Sequence, residues 1–136
     1  MQGYNVVAVY NYDMDRVLMC RRRKDPFKGL INFVGGKIEK AEDGISAAYR
    51  ELYEETAIPR ELINLKHLMD FTYFISDCYI EVYVGRLKGE TEVLGSENEL
   101  FWSGLDCDFF DMKAYAGVGN IGHIFEEIKF HRNELF

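Results

Sequence analysis

Two hydrophobic periods alternate along this chain. Positions 4–10 and 17–23 begin with runs of Val, Leu, Met and aromatics and read as the two strands of a hairpin, turned at 11–15 where Asn and Asp gather. A polar loop with Pro26 covers 24–29, and a short apolar strand over 30–34 ends in Gly35-Gly36. The period then changes. From about 42 to 56 the core residues recur at helical spacing, with Ile45, Ala48, Tyr49, Leu52 and Thr56 on one stripe. Glu42 and Asp43 suit the start of that helix, where the dipole favours anions. Pro59-Arg60 predicts a turn with a short helical piece through Leu62. Two long strands follow over 67–75 and 79–87, turned at Ser76-Asp77. A polar, acidic loop over 88–99 leads to a short strand at 100–102, a turn of helix within 105–112 and a closing helix over 121–130. That last helix presents Ile121, Ile124, Phe125 and Ile128 on one face. Strands on both sides of a central helix predict an α/β sandwich with a mixed sheet, as one domain over 1–136.

Composition makes such a core affordable: 48% of the 136 residues are hydrophobic and 15% aromatic. A formal charge of −7 argues against a nucleic-acid polymer or an anionic membrane surface as the main partner. A small phosphorylated ligand stays compatible, because a bound metal and a few local bases outweigh net charge. Cys20, Cys78 and Cys107 are odd in number and widely spaced, unlike a zinc site or a disulfide framework, which points to a reducing cytoplasm. The opening residues lack the charged and long apolar regions of a signal peptide, and no apolar run is long enough to span a membrane.

The chemistry concentrates at the end of the central helix. Glu51, Glu54 and Glu55 share one face there, because residues three and four apart are neighbours on a helix. Like charges repel, and the helix C-terminus disfavours anions. A bound cation would reverse both terms, and carboxylate oxygens are the ligands Mg²⁺ prefers. The competing reading is a solvated charged face. On the second strand, Arg21 and Arg23 share a face around Arg22 and are candidates for gripping a phosphate, against a plain exposed strand face.

The spacing from Gly36 through Glu42, Arg50-Glu51, Leu52, Glu54-Glu55, Ala57 and Ile58 resembles the signature of the Nudix hydrolase family, G-x5-E-x7-R-E-U-x-E-E-x-G-U, with U a bulky aliphatic residue. One fixed position departs: Ala57 stands where the family has Gly. The resemblance implies a Nudix-type α/β/α sandwich and Mg²⁺-dependent hydrolysis of a nucleoside diphosphate linked to another group, with Mn²⁺ as a substitute metal. It implies Glu51, Glu55 and the Gly35 carbonyl as metal ligands, Glu54 as a further ligand or the base, and Arg50 as the group that orients the carboxylates. Glu97, in the loop before the short strand, matches a family general base, with Glu99 as its alternative. Lys37 in the Gly-Gly-Lys run also matches, either structurally or as a partner for phosphate or carboxylate.

Within the family the chain is most similar to the MutT-like branch. This implies a (d)NTP split into monophosphate and pyrophosphate, with oxidised purines such as 8-oxo-dGTP in view. ADP-ribose, a nucleotide sugar, a dinucleoside polyphosphate and a non-catalytic nucleotide-sensing module are the rival readings. Asn32 resembles a purine-reading Asn, and Asn120 lies near a base-reading Asn of MutT-like enzymes, although an Asn there also suits a helix N-cap. Trp102, Phe33, Phe109 and Phe110 either stack on a base or pack the core. Residues 115–119 read YAGVG and lack the acidic pair of some oxidised-purine enzymes. The late aromatics Tyr73, Phe74, Tyr79 and Tyr83 line either the core or a homodimer interface.

Overall fold

The computed structural model describes residues 1–95 and 97–136. Its centre is β1 (Gln2–Tyr10), flanked on one side by β6 (Cys78–Arg86) in parallel, from Gln2 opposite Cys78 to Tyr10 opposite Arg86. On its other side β1 meets two partners in turn. Its first half pairs antiparallel with β4 (Val34–Lys37), and its end meets β2 (Arg16–Arg21) at Tyr10 and Val17. β2 also pairs with β3 (Ile31–Asn32) and β7 (Glu99–Gly104), and β5 (Lys66–Tyr73) closes the far edge against β6. The sheet is mixed, with β1–β6 its parallel pair and its other named strand pairs antiparallel.

Strand alternation sorts the core into two layers. Val7, Val9, Leu18 and Cys20 point to the side of helix α1 (Gly44–Thr56), where Ala48 and Leu52 meet them. Ala8, Tyr10, Val17 and Met19 point to the opposite side, against Ile121, Ile124, Phe125 and Ile128 of α2 (Asn120–Phe130). That is an α/β/α sandwich, the expected fold class. A short α3 (Arg132–Leu135) follows α2.

Several boundaries differ from the pattern-based reading. The strand expected over 30–34 is two short ones, and the Gly35-Gly36 pair is not its end but the middle of β4. Glycines carry no β signal of their own, and the pairing is imposed by β1. The helix expected from 42 begins at Gly44, because Asp43 is extended and its carboxylate accepts the Ser46 N–H at 2.8 Å. Its buried face also differs: Ala47 and Glu55 are buried, whereas Ile45 and Tyr49 are half-buried. Residues 105–112 form turns and no helix. Of the late aromatics, Tyr83 is in the core, Tyr73 and Tyr79 are half-buried, and Phe74 is exposed at the β5–β6 turn. No helix among the described residues is long and apolar enough to cross a membrane.

Helix α1 ends at Ala57, whose N–H reaches the Tyr53 carbonyl at 2.8 Å from a left-handed backbone (φ 64°, ψ 14°). This is the conformation in which Gly is the usual residue, and a Cβ there costs about 1 to 2 kcal/mol. Ala57→Gly should therefore stabilise the fold by up to about 1 kcal/mol, part of the relief being lost to the greater unfolded-chain freedom of Gly. The urea midpoint should rise at unchanged slope; a fall would show that the strain is absorbed elsewhere.

Candidate active site

The acidic end of α1 is built from residues that the helical period places on different arcs. Glu55 continues the buried stripe of Ala48 and Leu52 and is only 8% exposed. Two groups hold it: the Gly35 N–H at 2.9 Å and the Asn98 side-chain amide at 3.3 Å. Glu51 lies beside Gly36, where an added Cβ would sit 2.3 Å from the Glu51 carboxylate. Gly35 has φ 154°, and a Cβ on it would collide with the Asn5 carbonyl. Gly35 is thus required by close approach of the backbone, whereas a side chain at Gly36 would displace the Glu51 carboxylate. Behind them the buried Asn5 accepts the Gly36 N–H at 3.2 Å, while its Nδ2 has no partner among the described residues.

Arg50 ties the acidic groups together. Its guanidinium grips Glu42 with two hydrogen bonds of 2.6 and 3.1 Å, reaches Glu51 at 2.9 Å and Glu54 at 3.1 Å, and donates to the Lys37 carbonyl at 2.9 Å. Those bonds hold Glu42 below the usual carboxylate range. Glu51 and Glu55 go the other way. Burial raises both above the ordinary glutamate value, in Glu51 despite Arg50 and in Glu55 despite the Gly35 and Asn98 bonds.

One cavity of about 530 Å³ gathers Gly35, Lys37, Glu51, Glu54, Glu55 and Glu97. These are most of the residues the sequence singled out for metal and catalysis. Glu97 is exposed at the rim, whereas Glu99, the alternative, opens β7 opposite Arg21 and lies outside this cavity. Of the cations expected here Lys37 lines the cavity, whereas Arg21 and Arg23 do not and Arg22 and Lys24 do. Arg21 bonds the Gly29 carbonyl, and the main-chain N–H of Arg23 bonds Asn98. The signal was in the alternation: Arg22 has the parity of Leu18 and Cys20, which face α1. Tyr4, Asn5 and Asn98 carried no sequence signal, since each matters only through partners far along the chain.

A second cavity of about 450 Å³ is mainly apolar and adjoins the first at Tyr4, which lines both. Asn32, Phe33, Tyr73 and Asn120 line it. Residues 114–116 bond both main-chain groups of Ile31, which carries the segment before α2 onto the strand bearing Asn32. Asn120 is not the N-cap of α2. Gly119 takes that place, and the Asn120 amide donates to the Tyr73 hydroxyl. Trp102 lies in neither cavity; it packs against the α1-side core beside a smaller hollow. Phe109 is buried against Phe125 and Tyr115, and Phe110 covers Gly122.

The residues fit a divalent cation. Glu39, Glu51, Glu54, Glu55 and Glu97 line one cavity; Glu55 is buried and Glu51 half-buried, both are raised, and the Gly35 backbone beside them has no room for a Cβ. They are not pre-gathered: among the described residues no three acidic, His or Cys side chains stand as a ready metal cage, because Arg50 holds Glu51 and Glu54 while Gly35 and Asn98 hold Glu55.

A family model described as the NUDIX domain matches residues 1–114. Among curated relatives, the RNA pyrophosphohydrolase of Pelagibacter ubique (strain HTCC1062) is 26% identical over 134 residues, covering 93% of this chain and 84% of that protein. A MutT/nudix family protein from Enterococcus faecalis aligns with a TM-score of 0.65 at 24% identity; this chain, over 79% of its length, spans 45% of that one. The Ap4A hydrolase of C. elegans aligns with a TM-score of 0.73 at 17% identity over 96% of this chain and 97% of that one. At such identities the two structures speak for the fold.

The raised Glu55 makes a prediction about the metal-free protein. Its folded form holds a proton more tightly than the unfolded chain does, so its contribution to stability is full below about pH 4.5, the ordinary value, and is lost as pH rises through the folded value. In EDTA at neutral pH, Glu55→Gln should therefore raise Tm, because the amide keeps an oxygen for the Gly35 N–H without the buried charge. The gain should shrink to nothing below about pH 4.5. A Tm gain that does not depend on pH would refute the electrostatic cause.

Proposed function

The chain belongs to the Nudix family, and on that premise we propose that it hydrolyses the diphosphate bridge of a nucleotide linked to a second group. The observation that carries this is the junction of two cavities at Tyr4, one lined by carboxylates and cations, the other apolar and tipped by two side-chain amides. A molecule spanning both has its phosphates in the first and a planar ring in the second. Bound Mg²⁺ would neutralise phosphate charge and lower the pKa of a water. Glu51 and Glu55 would hold it together with Gly35, and Glu54 would serve as a further ligand or as the base. Arg50 keeps the carboxylates aligned from behind, and Lys37 faces the phosphates. Glu97, at the cavity rim, would be a second candidate to take the proton of the attacking water, since a loop base can swing inward on binding. The ring would lie against Phe33, with Asn32 and Asn120 offering amide donors and acceptors to its edge.

The substrate is a dinucleoside polyphosphate, ADP-ribose or a nucleotide sugar in the reading we put first. The absence of the acidic pair from 115–119 supports this choice. A (d)NTP, oxidised purines included, is the second reading, favoured by the convergence of Asn32 and Asn120 in one cavity. Three unpaired thiols accord with a reducing, cytoplasmic setting.

A broad panel of (d)NTPs, 8-oxo-dGTP, ADP-ribose, nucleotide sugars and dinucleoside polyphosphates, assayed with Mg²⁺, should show turnover that EDTA abolishes. Glu54→Gln and Glu55→Gln should each lower kcat by roughly 10²-fold or more on the preferred substrate. Lack of turnover on the whole panel, with nucleotide binding retained, would leave a sensing module in place of an enzyme. Equal kcat/KM for 8-oxo-dGTP and dGTP would remove oxidised purines as the preferred substrates.

A further inference from the structure

Asn5 is 2% exposed and stands on the α1 side of β1, the face that Val7 and Val9 continue. An amide among apolar side chains costs free energy unless its donor and acceptor are both bonded. Asn5 is bonded at one end. Its Oδ1 accepts the Gly36 N–H at 3.2 Å, and its Nδ2 has no partner among the described residues. The amide cannot be turned the other way, because a main-chain N–H must face an oxygen. A leucine has the same branched shape and no unpaired donor, so packing alone gives no reason for an amide here. The reason lies in the peptide that it holds.

The Gly36 N–H belongs to the same peptide unit as the Gly35 carbonyl. That unit is trans; among the described residues the cis bond is Asp25-Pro26. In a trans unit the N–H and the carbonyl point in opposite directions. Drawing the N–H toward Asn5 therefore turns the Gly35 carbonyl away from β1, on the side of the cavity that Gly35 lines. One unit back, the Gly35 N–H is taken by Glu55 at 2.9 Å. Two glycines in a row would otherwise leave the unit between them free to turn over. Strand pairing restrains it weakly, since β4 is four residues long and glycine weakens a strand. In a turned-over unit the carbonyl would meet Asn5 Oδ1 and the N–H would face the cation, and both contacts repel. We propose that Asn5 is a positioning residue of the metal site, which holds the Gly35–Gly36 peptide so that the Gly35 carbonyl is presented to the cation. This rests on the metal site of the hydrolase reading and is independent of its substrate.

The test compares wild type with three variants. Asn5→Leu keeps the branched shape and removes the acceptor, and Asn5→Asp keeps an oxygen for the Gly36 N–H. Val84→Ala loosens the core on the α2 side of the sheet, away from the site. Asn5→Val, a smaller strand former, takes the place of Asn5→Leu if the latter does not fold. Calorimetry with Mg²⁺ and no nucleotide should show Kd raised about tenfold or more in Asn5→Leu, the usual effect of removing a group that orients a metal ligand. Asn5→Asp and Val84→Ala should not weaken binding. Magnetic resonance on isotope-labelled wild type should show the Gly35 carbonyl carbon moving on addition of Mg²⁺ and the Gly36 amide exchanging slowly with solvent. Asn5→Leu should lose both signatures. On any substrate that turns over, Asn5→Leu should need about tenfold more Mg²⁺ for half-maximal rate, with kcat recovered at saturating Mg²⁺. A merely loosened core would not be rescued in that way. Unchanged Mg²⁺ affinity in the folded Asn5→Leu or Asn5→Val protein, an equal loss in Val84→Ala, or a Gly35 carbonyl carbon unmoved by saturating Mg²⁺ would overturn the assignment, as would a wild type that binds no Mg²⁺. A wild type that binds Mg²⁺ as described but turns over no nucleotide defeats the hydrolase reading and leaves the role of Asn5 standing.

Discussion

The acidic end of α1 depends on one guanidinium. Without Arg50, Glu42, Glu51 and Glu54 would crowd a half-buried space with three like charges, and the loop before α1 would lose its tie to the helix. The Arg50 fork on Glu42 holds that loop, its reach to the Lys37 carbonyl fixes the end of β4, and its contacts with Glu51 and Glu54 set both carboxylates at the cavity. Arginine suits this work because a planar, permanently charged fork can serve several acceptors at once, which a lysine ammonium on a flexible stem cannot do with the same geometry. Glu55 is held independently, by the Gly35 N–H and Asn98. The site thus has two anchoring systems, one around a cation and one around neutral donors. Burial raises Glu51 and Glu55 alike despite these bonds.

What could be read from the sequence follows from the range of the forces involved. The stripe of Ala48, Leu52 and Thr56, the apolar face of α2 and the strand character of β1 and β6 rest on local periodicity, which survives any tertiary detail. The acidic trio was legible for the same reason, since three- and four-residue spacing fixes a shared face. β4 was not legible. Gly35 and Gly36 read as punctuation, and only the neighbouring β1 backbone makes them strand. Asn120 reads as a cap in isolation but faces Tyr73 once β5 and β6 bring that hydroxyl to it. Arg22 was passed over for Arg21 and Arg23 because alternation was counted among the arginines rather than carried on from Leu18 and Cys20. Tyr4, Asn5 and Asn98 are single polar or aromatic residues whose partners lie 31 or more positions away for Asn5 and 43 or more for Asn98, a separation that periodicity does not reach.

The site also divides its labour between scaffold and selector. The carboxylates sit on a helix whose opposite residues are core, so their placement is constrained by packing against Val7, Val9 and Leu18. Such a wall can change little without unfolding the sheet beneath it. The groups facing it are built differently. Arg22 and Lys24 extend from the end of β2 into an exposed loop, and Phe27 and Val118, at the mouth of the apolar cavity, are exposed residues on backbone with positive φ. Their positions are set mainly by main-chain bonds, such as those joining Ile31 to Ala114 and Ala116, and so place few demands on side-chain identity. A wall fixed by the core and a rim free to vary is the arrangement expected where bond cleavage is common to many substrates and the choice among them is not. Substrate identity in this chain should accordingly be sought in Arg22, Lys24, Asn32 and Asn120 rather than in the glutamates, whose helix is fixed by the core beneath it.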